Sequence, residues 1–347
     1  MFSDLLNFNP SGLIKYLKNT FWLLIEQGLR IVSAIFVGIW VARFLGPEQF
    51  GLLSYVLAFT AIFRAVGRLG LESPFCVKEL SSTRDHVIVM GTLFWLRLIG
   101  STLIFLLVFT ILQTTENDFY TKLYILIITG GFLFVNFDVI QFYFESKVQG
   151  KLISICKMSE LILIVCLKIY LILINAELIY FVIVYVIEAA LIAFFFIFAY
   201  WKNYKNNFLF HFDLDLAKSF LKNSWPLIIS SISGFILMHI DKIMVKQMLS
   251  DYSVGIYAAG IKFPQAIGFL PMVLAASLFP AILNSKKASY YAYQERLQKF
   301  YFLMTWMGIS FFLLFFFSAN FLVSFYGADY SSASDILIIY SFSVIFL

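Results

Sequence analysis

The chain has 347 residues, of which 61% are hydrophobic, 19% aromatic and only 13% charged, and its mean hydropathy is +0.89. Values this far from the soluble globular range exclude an ordinary water-soluble domain and call for lipid as the solvent. The net charge of +5 comes from lysines and arginines spread over several separate loops, which argues against a nucleic-acid-binding face and for membrane sidedness.

In chain order, the first residues lack the basic, apolar and small-residue sequence of a cleavable signal, so the first hydrophobic helix is expected to act as an uncleaved anchor. Apolar segments then recur at 21–43, 50–71, 88–112, 121–144, 152–174, 178–201, 224–249, 254–282 and 300–325, and a tenth begins near 333. Each complete one is long enough to cross a hydrocarbon core about 30 Å thick. Inside lipid the backbone must satisfy its own hydrogen bonds, and strands would be about half this length, so helices are predicted. The longest connection, 202–223, is about 22 residues, too short for a soluble domain. Function is therefore expected inside the bundle.

Alternate loops carry Lys15 and Lys18, Lys78 and Arg84, Lys147 and Lys151, then Lys202, Lys205, Lys218 and Lys222, and finally Lys286, Lys287, Arg296 and Lys299. By the positive-inside rule these face the cytoplasm, as does the N-terminus. The opposite loops hold only Arg43 and Lys122 among the basic residues, with several acids.

Cys76, Cys156 and Cys166 show neither CxxC spacing nor an even extracellular set, so no disulfide framework is expected. His86, His211 and His239 are too scattered to suggest a metal site, and the P-loop, GxSxG and HExxH patterns are missing. Neither catalysis nor nucleotide hydrolysis is expected, and no cofactor.

An internal repeat bears on architecture. "KNTFWLLI" before the first span is echoed by "KNSWPLII" before the seventh, and a shift of 204 residues superposes Lys18 and Asn19 on Lys222 and Asn223. In the same register Leu45 meets Leu249, Gly51 meets Gly255 and Phe59 meets Phe263. A six-helix repeat keeps both copies in one orientation, related by an axis along the membrane normal. The expected architecture is a first lobe over 1–201, an inter-lobe loop over 202–223, and a second lobe over 224–347 with three complete helices and one partial helix. The second lobe is read as truncated, two helices short of the first.

"WLLIEQGLRIVSAIFVGIWVARFLGPEQFGLLSYVLAFTAIFRAVGRLGLESPFCVKEL" resembles the opening of the polysaccharide-repeat flippases, the Wzx-type O-antigen transporters. "NSWPLIISSISGFILMHIDKIMVKQMLSDYSVGIYAAGIK" and "SLFPAI" are similar to the start of their second half. The resemblance implies an all-α, MATE-like, two-lobed helical bundle of the multidrug/oligosaccharidyl-lipid/polysaccharide exporter superfamily in the bacterial inner membrane. It further implies an undecaprenyl-pyrophosphate-linked oligosaccharide turned over from the cytoplasmic to the periplasmic leaflet. A polysaccharide polymerase and a chain-length regulator are the implied partners, beside membrane lipids.

Such a substrate needs cations in a hydrated cavity, and the sequence places several within spans. Arg30, Arg64, Arg68 and Arg97 lie in the first three spans, Lys242 in the seventh and Lys262 in the eighth. A charge facing lipid costs at least about 2.5 kcal/mol, so each should face the bundle interior or water. These six are expected to bind pyrophosphate. Glu26, Asp138, Glu188 and Asp241 are expected to balance charge or bind a coupling ion, H+ or Na+. The bland readings are a structural Glu26–Arg30 pair four residues apart, snorkelling of Arg68, and a buried pair linking Asp241 or Lys242 to another helix. Lys157 with Glu160 has local-pair spacing, and Lys168 is read as interfacial. Pro264 and Pro271, with Pro280, Gly260 and Gly268, should kink the eighth span, making it the expected hinge.

A multidrug antiporter of the same superfamily is the alternative, and it would favour an acidic cavity. A membrane-embedded polymerase or glycosyltransferase commonly carries a large outward loop, and none here exceeds about 12 residues.

Overall fold

The computed structural model describes residues 10–82, 85–204 and 208–346, so Arg84 and Lys205, two of the basic landmarks above, lie outside it. Among the described residues there are helices and no strands. Among the described residues, six helices are long and apolar enough to cross a membrane: Phe21–Gly67, His86–Thr114, Phe119–Ser146, Leu178–Tyr204, Leu214–Met248 and Tyr293–Ser324. The protein is an all-α, multi-pass membrane protein.

Helix α1 (Pro10–Gly67) contains the first two predicted spans as two arms joined at Gly46. Gly46 adopts φ 71° and ψ 169°, a conformation open essentially to glycine alone. Pro47 then starts the second arm, where a proline's fixed φ suits a helix start and its missing N–H costs nothing. The arm ends in a tight turn with Leu69 at φ 54° and Gly70 at φ 67°. Next come α2 (Ser73–Ser82), α3 (His86–Thr114) and α4 (Phe119–Val135), the last started by Asp118, whose carboxylate accepts from the Thr121 N–H at 3.2 Å.

The predicted span 121–144 is split. Asn136 ends α4 by donating its side-chain amide to Ser101 Oγ at 2.8 Å and to the Leu133 carbonyl at 3.2 Å. Helix α5 (Asp138–Ser146) restarts two residues later, which puts Asp138 at a helix N-terminus, where the helix dipole favours a negative charge. Helices α6 (Gly150–Leu173) and α7 (Leu178–Tyr204) follow. Helix α6 falls outside the six spans and carries Lys157, Glu160 and Lys168.

The connection 202–223 is shorter than predicted. Helix α7 runs to Tyr204, a 3-10 turn covers Phe208–Phe210, and α8 (Leu214–Met248) takes in Lys218 and Lys222. This linker is strapped to α3: Trp95 Nε1 donates to the Leu209 carbonyl at 2.8 Å, and Asp213 N–H donates to Thr92 Oγ1 at 3.1 Å.

The eighth predicted span divides into α9 (Asp251–Ile267) and α10 (Phe269–Ala288). Pro271 cannot donate to the Ile267 carbonyl and its ring crowds that group, which accounts for α9 ending there. Helix α11 (Tyr290–Ser324) and the short α12 (Ala333–Ser341) complete the chain as described. Element starts keep the repeat: Pro47 and Asp251, and likewise His86 and Tyr290, are 204 residues apart.

Contacts gather the helices into two compact groups, one of the described residues up to Ser33 with Tyr55–Met244, the other of Ala34–Ser54 with Val245 onward. This grouping differs from the lobe division read from the repeat, which stays a proposal. The first group's core includes Leu71, Met90, Leu93, Val139, Phe144, Phe196 and Phe220. In the second, Ile39, Ala42, Ala259, Phe315, Tyr326, Tyr330 and Leu337 pack together.

Candidate functional site

Within the first group a cavity of about 770 Å³ opens between α1, α2, α3, α4, α5, α6, α7 and α8. Five cations line it, Arg30, Arg64, Arg68, Arg97 and Lys157, with four acids, Glu72, Asp138, Glu160 and Glu188. Six residues predicted from sequence thus meet at one place: Arg30, Arg64, Arg68, Arg97, Asp138 and Glu188. The cations outnumber the acids by one, so the lining keeps a small excess of positive charge.

Pairing distinguishes the cations. Arg30 Nε donates to Glu26 Oε1 at 2.8 Å, and its Nη2 donates to Glu160 Oε2 at 3.1 Å. Both carboxylates are buried, at 3% and 2% exposure. Glu26 stands behind Arg30 rather than in the lining, and the local Glu26–Arg30 pair is real but extended by a partner 130 residues away. Glu160 therefore pairs with Arg30, and Lys157 forms no ion pair with it among the described residues. Lys168, read as interfacial, instead stands 3.9 Å from Glu188 and 5.1 Å from the centre of the Tyr185 ring.

Arg68 and Arg97 each place Nη2 3.7 Å from the same oxygen of Asp138. The snorkelling reading of Arg68 gives way to this shared bridge. Arg97 is 1% exposed, lies 5.2 Å from the Phe142 ring centre, and leaves Nε and Nη1 without hydrogen-bond partners. Two guanidiniums sharing one carboxylate leave local positive charge and unused donors.

Arg64 has no carboxylate within ion-pair distance among the described residues; its guanidinium lies 6.0 Å from the Phe235 ring centre, and its Nε is buried without an acceptor. Lys157 likewise lines the cavity without an ion pair among the described residues. These two are the lining cations with no carboxylate at ion-pair distance among the described residues.

Helix α8 brings one polar face to the cavity. Ser231, Phe235 and His239 recur every four residues and so share a face. Ser231 Oγ donates to Glu72 Oε1 at 3.0 Å, Phe235 sits by Arg64, and His239 lines the cavity while stacking on Phe235. Lys242 and Asp241 are not in the lining; the Asp241 carboxylate accepts from the Lys242 backbone N–H at 2.7 Å. Lys246 pairs with Asp251.

Lys262, on α9 in the second group, is also not in the lining: its Cε lies 3.6 Å from where a Cβ on Gly38 would stand. Pro264 and Pro271 flank Gly268, where α9 gives way to α10. The sequence reading missed Glu72, Lys157 and Glu160 as cavity residues. Their signal was charge inside or beside an apolar helix, discounted for Lys157 and Glu160 because the two stand three apart.

No three-residue group of His, Cys, Asp and Glu suited to a metal occurs among the described residues. Outside the membrane-spanning segments, burial pushes the Cys76 thiol of α2 up to about 12, so it is no nucleophile at neutral pH.

Comparison with known proteins follows this geometry. A family model described as "Polysaccharide biosynthesis protein" matches residues 16–286. A solved structure described as "Crystal structure of MATE in the bent conformation" superposes with a TM-score of 0.54 at 13% identity, covering 95% of this chain and 78% of that chain. No curated protein matches the chain. The fold is therefore MATE-like, and the chain belongs to the polysaccharide biosynthesis protein family, that of the Wzx-type flippases.

Proposed function

We propose that this protein is a flippase that moves undecaprenyl-pyrophosphate-linked oligosaccharide from the cytoplasmic to the periplasmic leaflet of the inner membrane by alternating access of two lobes. The carrying observation is that Arg64 and Lys157 line a cavity of about 770 Å³ with no carboxylate at ion-pair distance among the described residues, beside two arginines sharing one aspartate. Sites of this size hold a small molecule, so the cavity takes the diphosphate and the first sugars while the long tail stays in the bilayer. Charge-assisted hydrogen bonds from guanidinium to phosphate are short, strong and often bidentate.

In this reading Arg64 is the first diphosphate contact, Lys157 the second, and Arg68 and Arg97 complete the site with donors that Asp138 leaves unused. Arg30 is assigned to holding α1 against α6 through Glu160. Lys242 and Lys262 lie apart from the site. Transport draws on an ion gradient or on downstream consumption of the product. The basic loops face the cytoplasm.

A multidrug antiporter is the second reading, and the four lining acids favour it. Complementation of a flippase-deficient strain separates the two. At equal membrane level, wild type is expected to restore surface polysaccharide, Arg64→Ala to lose it, and Arg64→Lys to restore part. Restoration by Arg64→Ala removes the diphosphate assignment; failure of wild type alongside acquired resistance to cationic drugs supports the antiporter.

A further inference from the structure

We infer that the contact between Gly51 and Gly255 is the pivot about which the two repeat halves tilt, an inference that rests on the alternating-access reading above. A Cβ built on Gly51 would fall on the Asp251 carbonyl oxygen and 2.7 Å from the Gly255 nitrogen. A Cβ built on Gly255 would fall on the Pro47 carbonyl oxygen and 2.8 Å from its carbon. Gly51 with Gly255, and Pro47 with Asp251, are each 204 residues apart.

The contact therefore maps onto itself when the halves are exchanged, as at an isologous interface. It joins the start of the second arm of α1 to the start of α9, and all four residues belong to the same compact group. Symmetric tilting displaces a point on the exchange axis least.

The surroundings fit a contact that stays closed. Leu53 and Val254 are 2% and 0% exposed, and Ala42 and Ala259 are also buried. Parting the glycines would open backbone and apolar surface with no side chain present to meet water. A second contact between the halves also involves a glycine, since a Cβ built on Gly70 would stand 2.5 Å from the Ser224 carbonyl oxygen, but it has no counterpart 204 residues away and adds side-chain hydrogen bonds. Ser224 Oγ donates to the Leu69 carbonyl at 2.9 Å, and Ser231 Oγ donates to Glu72 at 3.0 Å. The Ser231–Glu72 bond is half-buried, with Glu72 lining the cavity, and can exchange for water; lying off the exchange axis, this contact opens while the glycine contact holds.

The test uses nitroxide pairs in nanodiscs, with and without undecaprenyl diphosphate, in a chain with its three cysteines replaced by alanine. Labels at Glu48→Cys and Tyr252→Cys flank the glycine contact, and labels at Lys78→Cys and Lys222→Cys flank the serine contact. The expected result is one unchanged distance for the first pair and a shifted or split distance for the second. Movement of the first pair overturns the pivot, whatever the second does. Movement of neither overturns the pivot and, with it, the alternating-access reading.

Gly51→Ala and Gly255→Ala should each cut polysaccharide export at least tenfold at equal membrane level, with the double variant no worse than the weaker single. Wild-type export from both singles overturns the proposal. The label distances leave both glycines intact, so they decide the matter even where an alanine variant fails to fold.

Discussion

In the first compact group Arg97 is 1% exposed and Glu160 2%, while the fully buried side chains of the second include Phe315, Tyr326 and Tyr330. Helix packing in the first group surrounds ion pairs that reach between α1 and α6, and to α5 from α3 and from the turn after α1. In the second group it proceeds by ring contacts, such as Tyr326 against Tyr330 at 5.4 Å, and by glycines that let backbones touch. Burying an ion pair gains little over a hydrophobic substitute, whereas removing one partner costs much. The charges of the first group are thus dear to disturb singly, and their retention inside lipid speaks for a use beyond stability.

Substitutions should expose this contrast. The largest loss is expected from Asp138→Ala, which strips the shared carboxylate from Arg68 and Arg97; about 3–5 kcal/mol of stability should go, read as a lowered thermal midpoint in detergent. If Asp138→Ala unfolds at the wild-type temperature, the bridge is not structural. Arg30→Ala, which strands the buried Glu26 and Glu160 carboxylates, should cost about as much, and Glu160→Gln comes next, at about 1.5–3 kcal/mol, the worth of a hydrogen bond to a charged group.

Arg64→Ala sharpens the comparison from the other side. Without a carboxylate partner its removal should change stability by less than about 1 kcal/mol, within the scatter of substitutions that break no network, while abolishing export. In the second group Tyr330→Phe removes the phenol that donates to the Ala42 carbonyl at 2.7 Å and should cost about 1 kcal/mol.

The smallest effect concerns reagent access. With burial holding the Cys76 thiol near 12, thiolate is scarce at pH 8 and grows only as pH rises toward that value, so maleimide should label Cys76 far more slowly than exposed Cys166. Equal rates would place Cys76 in an open environment.

Much of the fold was legible because lipid enforces long apolar helices, and the 204-residue register carried through to the starts of α9 and α11. The breaks were less so. Asn136 ends α4 through a bond to Ser101, a residue 35 positions away, which no local pattern reveals. The charged residues of the cavity were findable as charges out of place, and four arginines, Asp138 and Glu188 were found that way. Their partners were not: Glu160 stands three residues from Lys157 and 130 from Arg30, and proximity in sequence favoured the wrong one. Lys242 and Lys262 look like cavity cations by the same criterion, yet the turn of α8 and the space beside Gly38 place them elsewhere.

Direct binding decides whether the cavity cations hold a diphosphate. In nanodiscs titrated with undecaprenyl diphosphate, Arg64→Ala should bind it at least about tenfold more weakly than wild type, about 1.4 kcal/mol, with Lys242→Ala unchanged. Equal affinity for wild type and Arg64→Ala would contradict the account.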